Sequence, residues 1–128
     1  MKTLKQPLLV INTGGTFNKK YNQIKGINEV SKNSNAIKKI LKYSYNTNYT
    51  IKEIALKDSL ELNSKDLNNI FKAIQQTKCK QIIIIHGTDT MTETCKFIES
   101  KLTKNDKQIV FIGSMTPFRF NKIESSFN

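Results

Sequence analysis

The sequence predicts a three-layer α/β domain built on an open parallel sheet, and three observations carry that prediction. Ile82-Ile83-Ile84-Ile85 is an unbroken run of β-branched apolar residues, the pattern of a strand covered on both faces rather than an alternating surface strand. Strand-like and helix-like segments alternate along the chain, which calls for right-handed crossovers between parallel strands. Each strand-like run also stops abruptly in glycine, threonine, serine or aspartate, the composition of ligand-facing turns at the carboxyl edge of such sheets.

Taken in order, the segment from Pro7 to Asn12 reads as a first strand running into Thr13-Gly14-Gly15-Thr16-Phe17. Its two glycines let the backbone swing close to a small ligand and present N–H groups. From Asn18 to Ser34 the chain is polar around Gly26, as in a mobile loop or small hairpin of the kind that forms lids. Asn35 is expected to cap a short helix with Ala36, Ile37, Ile40 and Leu41 on one side. Tyr49 to Leu56 alternates enough for a strand nearer an edge, ending at Lys57-Asp58-Ser59. Ser64 is expected to cap a helix carrying Leu67, Ile70, Phe71 and Ile74 at i, i+3, i+4 and i+7.

The isoleucine strand stops at His86-Gly87, and Thr90 with Glu93 predicts a capping box opening a helix with Met91, Thr94, Cys95, Ile98 and Leu102 on one face. Gln108 to Ile112 is a fourth strand, followed by Gly113-Ser114-Met115-Thr116-Pro117. The simplest arrangement is the flavodoxin-like order 2-1-3-4, which gathers Thr13, Thr16, Ser59, Thr88, Asp89 and Ser114 at one edge.

Composition narrows the function classes. At 128 residues the chain is expected to be one domain, 1–128. A formal charge of +11 suggests anionic partners, yet of 21 basic residues only Arg119 is arginine and the lysines are scattered. Lysine lacks the planar fork that reads bases, so the expectation is a solvated surface and no nucleic-acid partner. Cys79 and Cys95 are isolated and read as reduced thiols. Lys2 and Lys5 precede only a short apolar stretch and no run of about 18 apolar residues occurs, so a soluble cytoplasmic protein without a membrane partner is expected. With no Gly-x-Gly-x-x-Gly, no Gly-Lys-Ser/Thr and no metal-ligand spacing, neither cofactor nor metal is expected.

Hydroxyls at strand ends also satisfy turns and helix N-termini, so none of them is catalytic by default. Their recurrence at four strand ends is what points to chemistry. A hydroxyl nucleophile is weak at its free pKa and needs a base. Asp89 supplies a carboxylate beside Thr88, but no motif sets a lysine next to them. His86, the one histidine, sits at the last strand position and is expected in packing or bonded to backbone.

Thr13-Gly14-Gly15-Thr16 after a first strand, His86-Gly87-Thr88-Asp89-Thr90 with Met91 and Glu93-Thr94, and Gly113-Ser114-Met115 with Pro117 after a fourth resemble the amino-terminal domain of bacterial-type L-asparaginases. Asp58-Ser59 with Asn63 to Leu67 resembles that family's substrate-loop segment, and Phe127-Asn128 the start of its next helix. The resemblance implies a threonine-nucleophile amidohydrolase that converts L-asparagine to L-aspartate and ammonia. It implies Thr16 as nucleophile, Tyr21 as its flexible-loop helper, Thr88 as second catalytic threonine, Asp89 on the substrate's α-ammonium and Ser59 on its α-carboxylate. Family members continue into a lysine that pairs with the second threonine and into a smaller carboxyl-terminal domain, both beyond Asn128, and they act as oligomers. Homo-oligomerisation is therefore expected. The alternatives are a catalytically impaired amino-acid-binding domain and a basic anion-binding protein.

Overall fold

A computed structural model describes residues 6–44, 48–104 and 106–117. Its main sheet contains β1 (Leu8–Gly14), β4 (Tyr49–Lys57), β5 (Gln81–Ile85) and β6 (Gln108–Ile112) in the order β4-β1-β5-β6, with every pair parallel. In strand sequence this is 2-1-3-4, the order that alternation predicted, with the Tyr49 strand at an edge. A separate antiparallel hairpin pairs β2 (Lys19–Asn22) with β3 (Ile27–Val30), so the segment around Gly26 takes the hairpin of the two forms anticipated. Asn22 Oδ1 accepts from the Ile24 and Lys25 amides and organises the turn.

Among the described residues three helices cover the sheet: α1 (Asn35–Tyr43), α2 (Ser64–Gln76) and α3 (Met91–Lys101). Successive side chains of a strand point to opposite faces, so a strand covered on both sides must be apolar throughout. On one face Leu9, Ile11, Ile82 and Ile84 pack with Ile70, Ala73 and Ile74 of α2 and Ile98 of α3. On the other, Val10 and Ile85 meet Phe17 and Ala36, Ile37 and Leu41 of α1. Burying a side chain of this size contributes roughly 1.5–3 kcal/mol, so these two layers dominate the stability of the domain.

Three expected caps differ from those observed. Asn63, not Ser64, caps α2: its Oδ1 accepts from the Asp66 amide and Asp66 Oδ2 accepts from the Asn63 amide, both at 3.0 Å. Ser34, not Asn35, occupies the cap position of α1, and its hydroxyl is committed to Glu53 at 2.7 Å instead of the helix. Thr90 precedes α3 as predicted, yet no capping box forms, because its hydroxyl donates to the Ser59 carbonyl at 3.0 Å. Cys95 is exposed rather than on the core face, and Phe97 packs against the core in its place. Residues 118–128, including Arg119 and the helix expected at Phe127-Asn128, and the N-terminal Lys2 and Lys5, lie outside the described residues.

One irregularity bears on the site. Asn12 pairs with Glu53 but Gly14 with Lys57, so β4 bulges between them, and Ala55 adopts φ +65°. A non-glycine residue there costs about 1 kcal/mol or slightly more. Ala55→Gly is expected to raise stability by about 0.5–1 kcal/mol, less the added freedom of the unfolded chain. Urea titration checks it, and a destabilised variant would show that the alanine methyl contributes packing that outweighs the strain.

Candidate active site

The carboxyl ends of β1, β4, β5 and β6 are joined by specific contacts. After β1 the chain turns through Gly15 (φ +71°) into a 3-10 turn, Thr16–Asn18. A Cβ at Gly15 would stand 2.5 Å from the Gly87 nitrogen and 2.7 Å from its Cα, so these two backbones touch. Thr16 and Thr88 each follow a member of that contact directly. A Cβ at Gly87 would in turn lie 2.7 Å from both Cβ and Oγ of Ser59, so the turn after β4 closes on the same point. Thr90 Oγ1 ties the β5 loop to the Ser59 carbonyl, and Thr88 Oγ1 reaches Met115 Sδ at 3.7 Å beyond β6.

The turn after β1 is held from beneath. Asn12 is fully buried; its Oδ1 accepts from the Gly14 amide at 3.0 Å, and its Nδ2 donates to Ser34 Oγ, which donates to Glu53. The Gly15 amide donates to the Lys57 carbonyl at 2.9 Å. These bonds correct one expectation: the amides of Gly14 and Gly15 are already engaged and are not free to receive a ligand. Asn12, Ser34 and Thr90 were not anticipated as site supports, since polar residues at strand ends and helix starts carry no signal of distant partners.

Among the anticipated residues, Thr13 and Ser114 are structural. Thr13 Oγ1 donates to the Ile85 carbonyl at 2.7 Å, and Ser114 Oγ to the Thr116 carbonyl. Thr16 is half-buried, whereas Thr88 and Asp89 are exposed at the head of the β5 loop. Ser59 is 2% exposed and its Oγ makes no hydrogen bond among the described residues. A buried hydroxyl without a partner carries a desolvation cost that a ligand could relieve. Tyr21 stands apart from this group: it is exposed on the hairpin, with its hydroxyl 3.9 Å from where a Gly26 Cβ would sit.

His86 is buried, as its place in the strand predicted. Its Nδ1 lies 2.6 Å from the Gly87 carbonyl, which can only accept, so Nδ1 carries the proton. Burial lowers its pKa against the opposing effects of the Gly87 bond and Glu93, leaving the ring neutral and Nε2 an acceptor for Thr94 Oγ1 at 2.8 Å. The histidine thus pins the β5 turn to α3. Because its pKa is depressed from 6.5, the unfolded chain binds a proton that the folded chain refuses. Stability is expected to be full above pH 6.5 and to fall below it, until the folded histidine itself titrates. Thermal melts between neutral pH and the carboxylate range check this, and His86→Gln should flatten the profile.

Near the site, Lys57 is held by Asp66 at 2.9 Å and Lys19 by Asp58 at 3.0 Å, so neither offers an unengaged amine as a base. No cluster of three or more histidine, cysteine, aspartate or glutamate side chains that could hold a metal occurs among the described residues. No helix there is long and apolar enough to cross a membrane.

A doubly wound parallel sheet whose strand-end loops meet at one edge defines a domain of the α/β class. The model of the asparaginase N-terminal family matches residues 7–128, and the chain belongs to that family. It is 33% identical over 76 residues to L-asparaginase 2 of Escherichia coli, a match covering 54% of this chain and 22% of that protein. The thermostable L-asparaginase from Thermococcus kodakarensis superposes with a TM-score of 0.72 at 26% identity, over 88% of this chain and 35% of that one. A probable cytoplasmic L-asparaginase from Campylobacter jejuni gives a TM-score of 0.67 at 26% identity, over 88% of this chain and 36% of its own. L-asparaginase I from Vibrio cholerae, with a TM-score of 0.71 at 24% identity, shares the fold. The chain thus spans 22% of the curated relative and about a third of each solved structure.

Proposed function

We propose that the chain carries the substrate-binding and nucleophile-bearing part of an asparaginase-type amidohydrolase acting on L-asparagine. The observation that carries this reading is the Gly15–Gly87 backbone contact, which brings the loops of Thr16 and Thr88 together beside the Ser59 hydroxyl, which has no partner among the described residues. In this reading Thr16 Oγ attacks the side-chain amide carbon, its proton passes to the leaving nitrogen, ammonia departs, and water hydrolyses the threonyl ester to L-aspartate. Thr88 takes part in the proton transfer, Asp89 receives the α-ammonium and Ser59 the α-carboxylate. Tyr21 assists Thr16 once the hairpin closes inward. With the Gly14 and Gly15 amides engaged elsewhere, the oxyanion falls to the next N–H groups along these loops, those of Thr16 and Thr88. No cofactor or metal enters these steps. The reading sets this reaction in the cytoplasm, which the description of the Campylobacter jejuni neighbour as a probable cytoplasmic L-asparaginase supports.

Calorimetry with L-aspartate, alongside a coupled assay of ammonia release from L-asparagine, tests the reading on the 128-residue chain. The expected result is weak binding of L-aspartate together with ammonia release from L-asparagine. Binding without release would favour the impaired amino-acid-binding alternative, and neither would overturn both. The anion-binding alternative rests on one observation, a concavity of about 490 Å³ at the opposite end of the sheet lined by Lys78, Lys80, Lys101, Lys104 and Lys107. Polyphosphate binding that falls steeply with salt would support it.

Self-association belongs to the same reading. Beside β6, Ile98, Leu102, Ile109 and Phe111 line a groove of about 470 Å³, and Val110 is 53% exposed on a strand paired on one side within the sheet. Such surfaces promote association. Light scattering is expected to give a mass above that of one chain, and a stable monomer would argue against it.

A further inference from the structure

The hairpin that carries Tyr21 is fastened at its base and bare at its tip. Lys19, its first residue, pairs with Asp58 at 3.0 Å, and Lys32, just past its last, donates to the Leu56 carbonyl at 3.0 Å. Asn18 closes the neck by donating to the carbonyls of Ser31 and Asn33. At the other end Ile24 is 98% exposed. Both base contacts land on the tail of β4, the stretch that the bulge at Ala55 redirects.

Asp58 occupies a singular place in this arrangement. It lies between Lys57, whose carbonyl holds the Gly15 amide, and Ser59, which is buried against Gly87. Its ion-pair partner lies three residues after Thr16. A single carboxylate therefore joins the segment after β1 to the segment after β4.

Resting on the site reading above, we propose that Asp58 is a positioning residue: through Lys19 it latches the hairpin base to the segment after β4, so that Thr16 and Ser59 are presented to one ligand. Other charges line the same groove, namely Lys20, Lys25, Lys32, Lys57, Glu29 and Glu61. Lys57 is committed to Asp66, Lys25 to Glu29 and Lys32 to backbone, Lys20 acts on Glu29, and Lys19 is the cation paired with Asp58. The Lys19 bond holds the Asp58 carboxyl below its ordinary range against the opposing effect of burial. The latch is thus engaged through neutral pH and released as acid protonates Asp58, or as salt screens the pair.

Hydrogen exchange of the amides of residues 19–30 in the full chain reads the latch without reference to any ligand. The variants are Asp58→Asn, Lys19→Met and the charge-swapped pair Lys19→Asp with Asp58→Lys. For a partly exposed ion pair, each single variant is expected to speed exchange by about two- to fivefold in the hairpin alone, with β1 and β5 unchanged. L-Aspartate binding should weaken by a similar factor, and the swapped pair should restore both. Unchanged hairpin exchange in the single variants, or no restoration by the swap, would overturn the latch. If exchange responds as stated while L-aspartate binds no form of the protein, the amino-acid pocket fails and the latch stands.

Discussion

Gly15→Ala is expected to destabilise the domain by about 3–4 kcal/mol, against about 1 kcal/mol for Gly26→Ala. Both glycines have a positive φ, +71° and +65°, but Gly15 combines it with ψ −174°, a conformation open essentially to glycine alone. Alanine is strained at both positions and more so at 15. They differ in surroundings: the new methyl at position 15 would meet the Gly87 backbone at 2.5 Å, whereas at position 26 the nearest atom is the Tyr21 hydroxyl at 3.9 Å. A backbone neighbour cannot rotate away as a side chain can, so the β1 and β5 loops must part. Paired thermal melts should separate the variants by roughly 10 °C for a domain of this size. Equal losses would mean that neither the close approach nor the unusual ψ at Gly15 adds to the strain of a positive φ.

Thr16→Ala and Asp89→Ala are expected to divide chemistry from binding. Removing the nucleophile should leave L-aspartate affinity within about twofold and erase measurable ammonia release, because the proposed Oγ bond forms only during reaction. Removing the Asp89 carboxylate deletes a charge-assisted partner worth about 1.5–3 kcal/mol, so affinity should fall roughly tenfold to a hundredfold. Calorimetry and an ammonia assay on the same samples check both. Undiminished affinity in Asp89→Ala would discard the proposed ammonium site, and turnover surviving in Thr16→Ala would move the nucleophile elsewhere.

Much of this fold was legible because burial on both faces leaves a strand no room for polar alternation. The Ile82–Ile85 run identified an interior strand, and helical spacing placed Ile70, Ile74 and Ile98 on core faces. Strand order followed from alternation alone. The caps were less legible, since a hydroxyl or amide chooses among acceptors that the tertiary fold supplies: Ser34 turned to Glu53, and Thr90 to Ser59. Topology gathered the candidate hydroxyls at one edge, but nothing local distinguishes Thr13, bonded to Ile85, from Ser59, whose Oγ has no partner among the described residues. The left-handed Ala55 left no trace in the sequence, because alanine ordinarily avoids that conformation.

The position of β1 has a consequence for biosynthesis. It leaves the ribosome before the other described strands of its sheet, yet it lies between β4 and β5, whose pairing residues extend to Lys57 and Ile85. Hydrophobic Leu8 to Ile11 therefore wait, unpaired on one side or both, until Ile85 has cleared the exit tunnel. At about 5–20 residues per second that interval lasts several seconds, during which the nascent chain offers a sticky template to chaperones and to its neighbours on the same message.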